Sequence, residues 1–164
     1  MAILRNGVAV DYRLLHNGVE LDKATYDGSV ELWVKATPYT VVFTDYPLTE
    51  GESGNYTDKA VITNATGYIL RVKKKTDTVA FGYVNASVTY PTQKCNRVKV
   101  KYSTGEYTVA SINGTTLDKN AINKEIVLEC TGTEFTLNLY VYDETAYFLS
   151  ELTIKEITFY YVSA

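Results

Sequence analysis

Strict alternation of apolar and polar residues runs through the second half of the chain. From Arg97 to Tyr102, Val98, Val100 and Tyr102 share one face and Arg97, Lys99 and Lys101 the other, the period-two signature of a half-buried strand. Lys124 to Cys130 sets Ile126, Leu128 and Cys130 against Val127 and Glu129. Phe135 to Tyr142 turns Phe135, Leu137, Leu139 and Val141 inward and Thr136, Asn138, Tyr140 and Tyr142 outward. The stretch Leu152 to Val162 changes phase. Leu152 and Ile154 share a face, whereas Ile157, Phe159 and Tyr161 fall out of step with them, which predicts a β-bulge at Lys155-Glu156.

Weaker patterns precede these. Tyr39 to Asp45 reads as an apolar strand, and residues 46–55 as the longest loop in the chain. Ala60 to Thr63 and Tyr68 to Lys73 read as strands around an Asn64-Ala65-Thr66-Gly67 turn. Val79 to Val84 and Ser87 to Tyr90 read as two more, closed by Pro91. Glu106 to Ile112 leads into an Asn113-Gly114 turn, and Leu117 to Lys124 holds at most one helical turn. Roughly eight to ten short strands after Pro38, with turn signals about every 8–12 residues, predict an all-β sandwich or barrel. The composition agrees: 15 Tyr and 22 Thr suit a pleated, half-exposed surface.

The opening of the chain repeats itself. Asn6-Gly7, Asn17-Gly18 and Asp27-Gly28 fall eleven and then ten residues apart, each between short alternating runs, and such pairs are the residues a tight hairpin turn demands. An isolated hairpin is marginal in water, so this element must lean on the body of the chain or on another subunit, with Leu32 and Trp33 as anchors. Ala36-Thr37-Pro38 is the boundary, because proline removes a ladder donor and extends the residue before it. The expected division is a β-hairpin docking element over residues 1–36 and a jelly-roll β-sandwich over 37–164.

Charge and chemistry exclude more than they assign. A net charge of −3 leaves no basic footprint for nucleic acid. Residues 1–10 hold no apolar run long enough for a signal peptide, and no stretch approaches a membrane span. Cys95 and Cys130 read as two buried free thiols, with a disulfide across the sandwich as the alternative. The four Asn-x-Ser/Thr sequons, at Asn55, Asn64, Asn85 and Asn113, read as by-products of Thr-rich segments, and the Lys73-Lys74-Lys75 run as a solvated strand end. His16 is the sole histidine and lies beside a hairpin turn, so no Ser/His/Asp set and no zinc site is expected. Carboxylates at Glu50 and Glu52, Asp143 and Glu144, and Glu151 and Glu156 are expected at the surface, whereas glycoside hydrolysis needs one of its pair buried. A calcium loop over residues 45–58 (Asp45, Glu50, Glu52, Asn55, Asp58) matches no EF-hand spacing. Neither catalysis nor a cofactor is expected.

What remains is aromatic. Tyr140 and Tyr142 lie on the polar face of their strand beside Asn138, and Tyr160 lies opposite Phe159 and Tyr161. Flat rings next to amides and hydroxyls are what a sugar-stacking platform needs. The same residues suit an interface with a neighbouring subunit or with the hairpins, the reading that pattern alone favours, and Tyr46 and Tyr56 raise the same pair of readings.

Two stretches resemble known proteins. Asn17-Gly18-Val19-Glu20-Leu21-Asp22-Lys23, followed by Tyr26-Asp27-Gly28 and Trp33, resembles repeats in virion proteins of tailed bacteriophages and prophages. The body, through Asn96 to Tyr102, Glu134 to Val141 and Leu152 to Tyr161, resembles jelly-roll domains of the galactose-binding or carbohydrate-binding-module type. The first resemblance implies a tail, baseplate or capsid-surface component, located in the virion after assembly in the host cytoplasm. Its partners would be other virion proteins and further copies of itself, contacted through Asn17, Gly18, Asp27, Gly28, Leu32 and Trp33. The second is compatible with a module recognising a cell-surface glycan, for which the strand pattern offers Asn138, Tyr140, Tyr142 and Tyr160.

Overall fold

The computed structural model describes residues 4–5, 8–9, 15–16, 19–20, 23–26, 30–34, 36–54, 57–74, 82–92, 95–143 and 149–162, with side chains described from Pro38 onward except those of Thr57 and Val162. The opening segment contains three antiparallel hairpins. β1 (Leu4–Arg5) pairs β2 (Val8–Ala9), β3 (Leu15–His16) pairs β4 (Val19–Glu20), and β5 (Lys23–Tyr26) pairs β6 (Val30–Val34) across a bulge. Each pair forms its own two-stranded sheet. The remaining strands are β7 (Ala36–Thr40), β8 (Thr49–Ser53), β9 (Thr57–Asn64), β10 (Gly67–Lys74), β11 (Gly82–Pro91), β12 (Cys95–Thr104), β13 (Val109–Ile112), β14 (Thr115–Thr116), β15 (Lys124–Glu129), β16 (Glu134–Asp143) and β17 (Ser150–Val162).

These eleven strands form two antiparallel sheets. One runs β15-β12-β17-β10-β9, with β7 beside the far half of β17; the other runs β14-β13-β16-β11-β8. Every connection after β7 crosses from one sheet to the other except the hairpins β9–β10 and β13–β14. Such alternation is how a jelly roll closes around its core. The inward faces supply one apolar cluster, with Leu70, Val98, Val100, Ile154 and Ile157 from the first sheet meeting Val84, Ile112, Leu137 and Val141 from the second.

The strongest sequence patterns become the central strands. Phe135, Leu137, Leu139 and Val141 are buried in β16 as the alternation requires. In β17 the register slips where Lys101 faces Glu156 but Tyr102 faces Ile154, so Lys155 is the extra residue. That bulge returns Ile157 and Phe159 to the core. Asn113 and Gly114, at φ +47° and +78°, make the β13–β14 turn with the left-handed backbone that Asn-Gly tolerates.

Elsewhere the expectation needs correction. Pro38 lies inside β7 rather than ending a segment; among the described residues β7 pairs only β17, and an edge strand tolerates a missing donor. The strand expected over Tyr39 to Asp45 stops at Thr40, and Phe43–Asp45 forms a 3₁₀ turn that buries Phe43. The loop expected over residues 46–55 contains β8, whose Thr-Glu-Gly-Glu-Ser sequence shows no alternation because four of its five residues are exposed. The strands expected on either side of Ala86 are one, β11, in which a small alanine fills an inward position. Lys74, expected at a solvated strand end, and Asp143, expected at the surface, are both buried, and the Lys74 amide donates to Asp143 Oδ2 at 3.1 Å.

Tyrosine hydroxyls knit one end of the core. The Tyr68 hydroxyl donates to the Tyr46 carbonyl and lies 2.8 Å from the Tyr90 hydroxyl. Rings of Phe43, Tyr46 and Phe159 pack around this pair at centroid distances of 4.7–5.2 Å. Tyr46 is therefore a packing residue and not an exposed loop aromatic; Tyr56 lies outside the described residues. Burial raises both phenols: Tyr90 is driven far above the usual range by desolvation and then by Tyr68, while the Tyr90 hydrogen bond partly offsets the desolvation of Tyr68. The native state thus keeps both protons while the unfolded chain releases them near pH 10. Stability is expected to hold up to that pH and to fall steeply above it. Urea midpoints measured from pH 8 to 11.5 check this, and Tyr90→Phe should flatten the alkaline limb.

Candidate glycan-binding face

The outward face of the five-stranded sheet carries the candidate site. Antiparallel pairing of β11 with β16 places Tyr83 opposite Tyr142, Asn85 opposite Tyr140 and Ser87 opposite Asn138. Pairing of β13 with β16 adds Val109 beside Tyr142 and Ser111 beside Tyr140. Because side chains alternate across a strand, these residues stand on one face while Val84, Ala86, Leu139 and Val141 point into the core. The result is a set of rows crossing the strands. One row presents Tyr142 and Tyr83, the next Ser111, Tyr140 and Asn85, and the third Asn138 and Ser87.

The rings form a continuous cluster. Tyr140 lies 5.8 Å from Tyr142 and 6.0 Å from Tyr83 between centroids, within the range of favourable aromatic contact. Burial, with smaller contributions from the phenols of Tyr142 and Tyr83, raises the Tyr140 phenol, so its hydroxyl is neutral at physiological pH. Beside the rings a groove of about 300 Å³ opens, lined by Asn85, Ser87, Ser111, Asn138 and Tyr140, with Gly51, Glu52 and Gly114 at its rims. The Asn113 side chain fixes one rim: the Asn138 amide donates to its Oδ1 at 2.7 Å, and its Nδ2 donates to the Thr136 carbonyl at 3.1 Å. Glu50, from β8 on the other rim, pairs with Lys59.

Of the glycan residues expected from sequence, Asn138, Tyr140 and Tyr142 stand together here. Tyr160 does not join them. It belongs to β17 in the opposite sheet, where the Arg97 guanidinium covers its ring at 4.4 Å; a strand that pairs with β12 cannot reach the other sheet's outer face. Tyr83, Asn85, Ser87 and Ser111 were missed. The signal for the first three was present in β11, where Tyr83, Asn85, Ser87 and Thr89 alternate with Val84, Ala86, Val88 and Tyr90, but splitting that strand at Ala86 concealed it. Of the assembly residues, Asn17, Gly18, Asp27 and Gly28 lie outside the described residues, and Leu32 and Trp33 are described only as backbone in β6. Of the calcium-loop residues, Asn55 lies outside the described residues, and among the described residues no group of three His, Cys, Asp or Glu gathers to hold a metal.

No protein-family model and no curated protein matches the chain. Among solved structures it is similar to TmCBM27, a carbohydrate-binding module described for specific mannan recognition, with a TM-score of 0.48 and 10% identity over 79% of this chain and 100% of that one. It is also similar to CBM29_1, a family 29 carbohydrate-binding module from Piromyces equi, with a TM-score of 0.28 and 13% identity over 77% of this chain and 91% of that one. Both neighbours are carbohydrate-binding modules.

Proposed function

We propose that the sandwich is a carbohydrate-binding module whose ligand lies across the strands of the five-stranded sheet. The observation that carries this reading is the tyrosine cluster of Tyr83, Tyr140 and Tyr142 flanked by Asn85, Ser87, Ser111 and Asn138 on a single face. Sugar rings have apolar C–H faces and polar hydroxyl edges, and this face offers both kinds of partner within one groove. The groove crosses β13, β16, β11 and β8, a span of about 14 Å at the usual strand spacing, which favours an internal stretch of chain over a single terminal sugar. Glu52 is the charged side chain among the groove residues, so a neutral glycan suits it better than a uronate or sulfated one, which would meet like charge. An array of neutral and acidic polysaccharides tests the proposal. Retention on neutral chains is expected; retention on none, or only on acidic ones, would refute it.

A second reading, in which residues 1–36 dock the sandwich onto a larger assembly such as a phage virion, rests on the three opening hairpins. Among the described residues their strands hydrogen-bond only within each pair, and two-stranded ribbons of this length need a partner. Light scattering of the full chain and of a chain lacking residues 1–34 separates the outcomes: loss of self-association or particle association with a folded body supports docking, and unchanged association counts against it.

A further inference from the structure

Cys95 and Cys130 meet because of a second bulge. In β12 the inward positions are Val98, Val100 and Tyr102, so unbroken alternation would point Asn96 inward and Cys95 outward. Instead the pairing with β17 slips between Cys95 and Arg97, which face Tyr161 and Tyr160. Asn96 is the extra residue and is exposed, while Cys95 turns into the interior at 6% exposure. Cys130 follows the inward series of β15 and is 1% exposed, and its amide donates to the Asn96 carbonyl at 3.4 Å. Both cysteines thus turn to the inner side of the neighbouring strands β12 and β15, where Cys95 Sγ donates to the Arg97 carbonyl at 3.3 Å.

From this convergence we propose that Cys95 and Cys130 are a modification site, closed into an intramolecular disulfide by a small-molecule disulfide of the glutathione class. One cysteine thiolate attacks the oxidant and displaces a thiol, leaving a mixed disulfide. The second cysteine then attacks the protein sulfur of that bond and displaces the other thiol. Two cysteines lose two electrons and two protons, and one disulfide becomes two thiols. The bond fastens β15, which among the described residues is an edge strand paired only with β12, at the point where the chain leaves it.

Timing follows from burial. Desolvation, then the neighbouring Cys130, pushes the Cys95 thiol up to about 12, and the thiolate is the attacking species. The folded chain therefore exchanges slowly at neutral pH, and closure occurs while the chain folds. Once closed, the bond is shielded by the same burial, so the chain retains a record of the redox conditions under which it folded.

The test refolds the reduced, denatured full chain in a glutathione redox buffer and reads it by non-reducing mass spectrometry and thiol titration in denaturant. The expected product is a monomer lighter by two hydrogen atoms with no free thiol. Its thermal midpoint should lie roughly 10 °C above that of the reduced chain, since the closed loop spans 35 residues, and Cys130→Ser should abolish that difference. A monomer that keeps both thiols, or a product dominated by glutathione adducts or intermolecular dimers, would overturn the proposal. A midpoint unchanged by closure would overturn the fastening of β15.

Discussion

Tyr140→Ala is expected to abolish most glycan binding, weakening affinity by roughly 30-fold or more, or about 2 kcal/mol. Tyr140 is the central ring of the exposed face, touching both Tyr83 and Tyr142 and standing opposite Asn85. Removing it takes away a stacking surface and the wall that holds its neighbours in place. The fold should survive, because Tyr140 is half-buried while Leu139 and Val141 on either side carry the packing. Titration calorimetry against whichever polysaccharide the array retains is the measurement. Tyr160→Ala, on the opposite sheet beneath Arg97, is the control and should leave affinity unchanged. Equal loss from both variants, or from neither, would remove the site from this face.

Gly67→Ala should be among the most damaging single substitutions in the sandwich, costing about 3–4 kcal/mol. Gly67 begins β10 at φ +147°, and a Cβ placed there would sit 2.0 Å from the Ile154 carbonyl oxygen. That carbonyl belongs to backbone just before the Lys155 bulge of β17, so neither partner has a flexible end to move aside. Two costs combine: a backbone conformation that side chains avoid, and a clash with a central strand. Gly114→Ala separates them, since Gly114 has a positive φ of +78° but nothing within 4 Å of its would-be Cβ; about 1 kcal/mol is expected there. Urea unfolding of the two variants gives the comparison, and similar losses would show that the close approach costs nothing.

What the sequence conveyed depended on burial contrast. β12, β16 and the Lys155 bulge were legible because one face of each strand is covered and the other is wet, which writes the pleat into the residue types. β8 left no trace, since exposure of nearly every residue removes the contrast. β7 was obscured by Pro38, whose lack of a donor is harmful in a central strand and harmless at an edge. The site was half legible for the same reason. Tyr140, Tyr142 and Asn138 stood out on an unbroken strand, whereas Tyr83, Asn85 and Ser87 lay on one interrupted by a small inward alanine. Tyr160 was misplaced because alternation tells which residues face outward and not which of two sheets they face outward from. Only pairing supplies that, and pairing is non-local.

The place of β7 in the sandwich has a bearing on biosynthesis. Its partner is β17, and Thr40 and Thr158, whose hydroxyls approach across that pair, are separated by 118 residues. At ribosomal speeds this is a wait on the order of 10 s between the emergence of β7 and of the strand it joins. Throughout that interval β7 lacks the strand it pairs with. A neighbouring nascent chain further along the same message displays its own β17 edge before the interval ends. Exchange of β7 between such neighbours is the misassembly to which this topology is most open, and slowing initiation should suppress it.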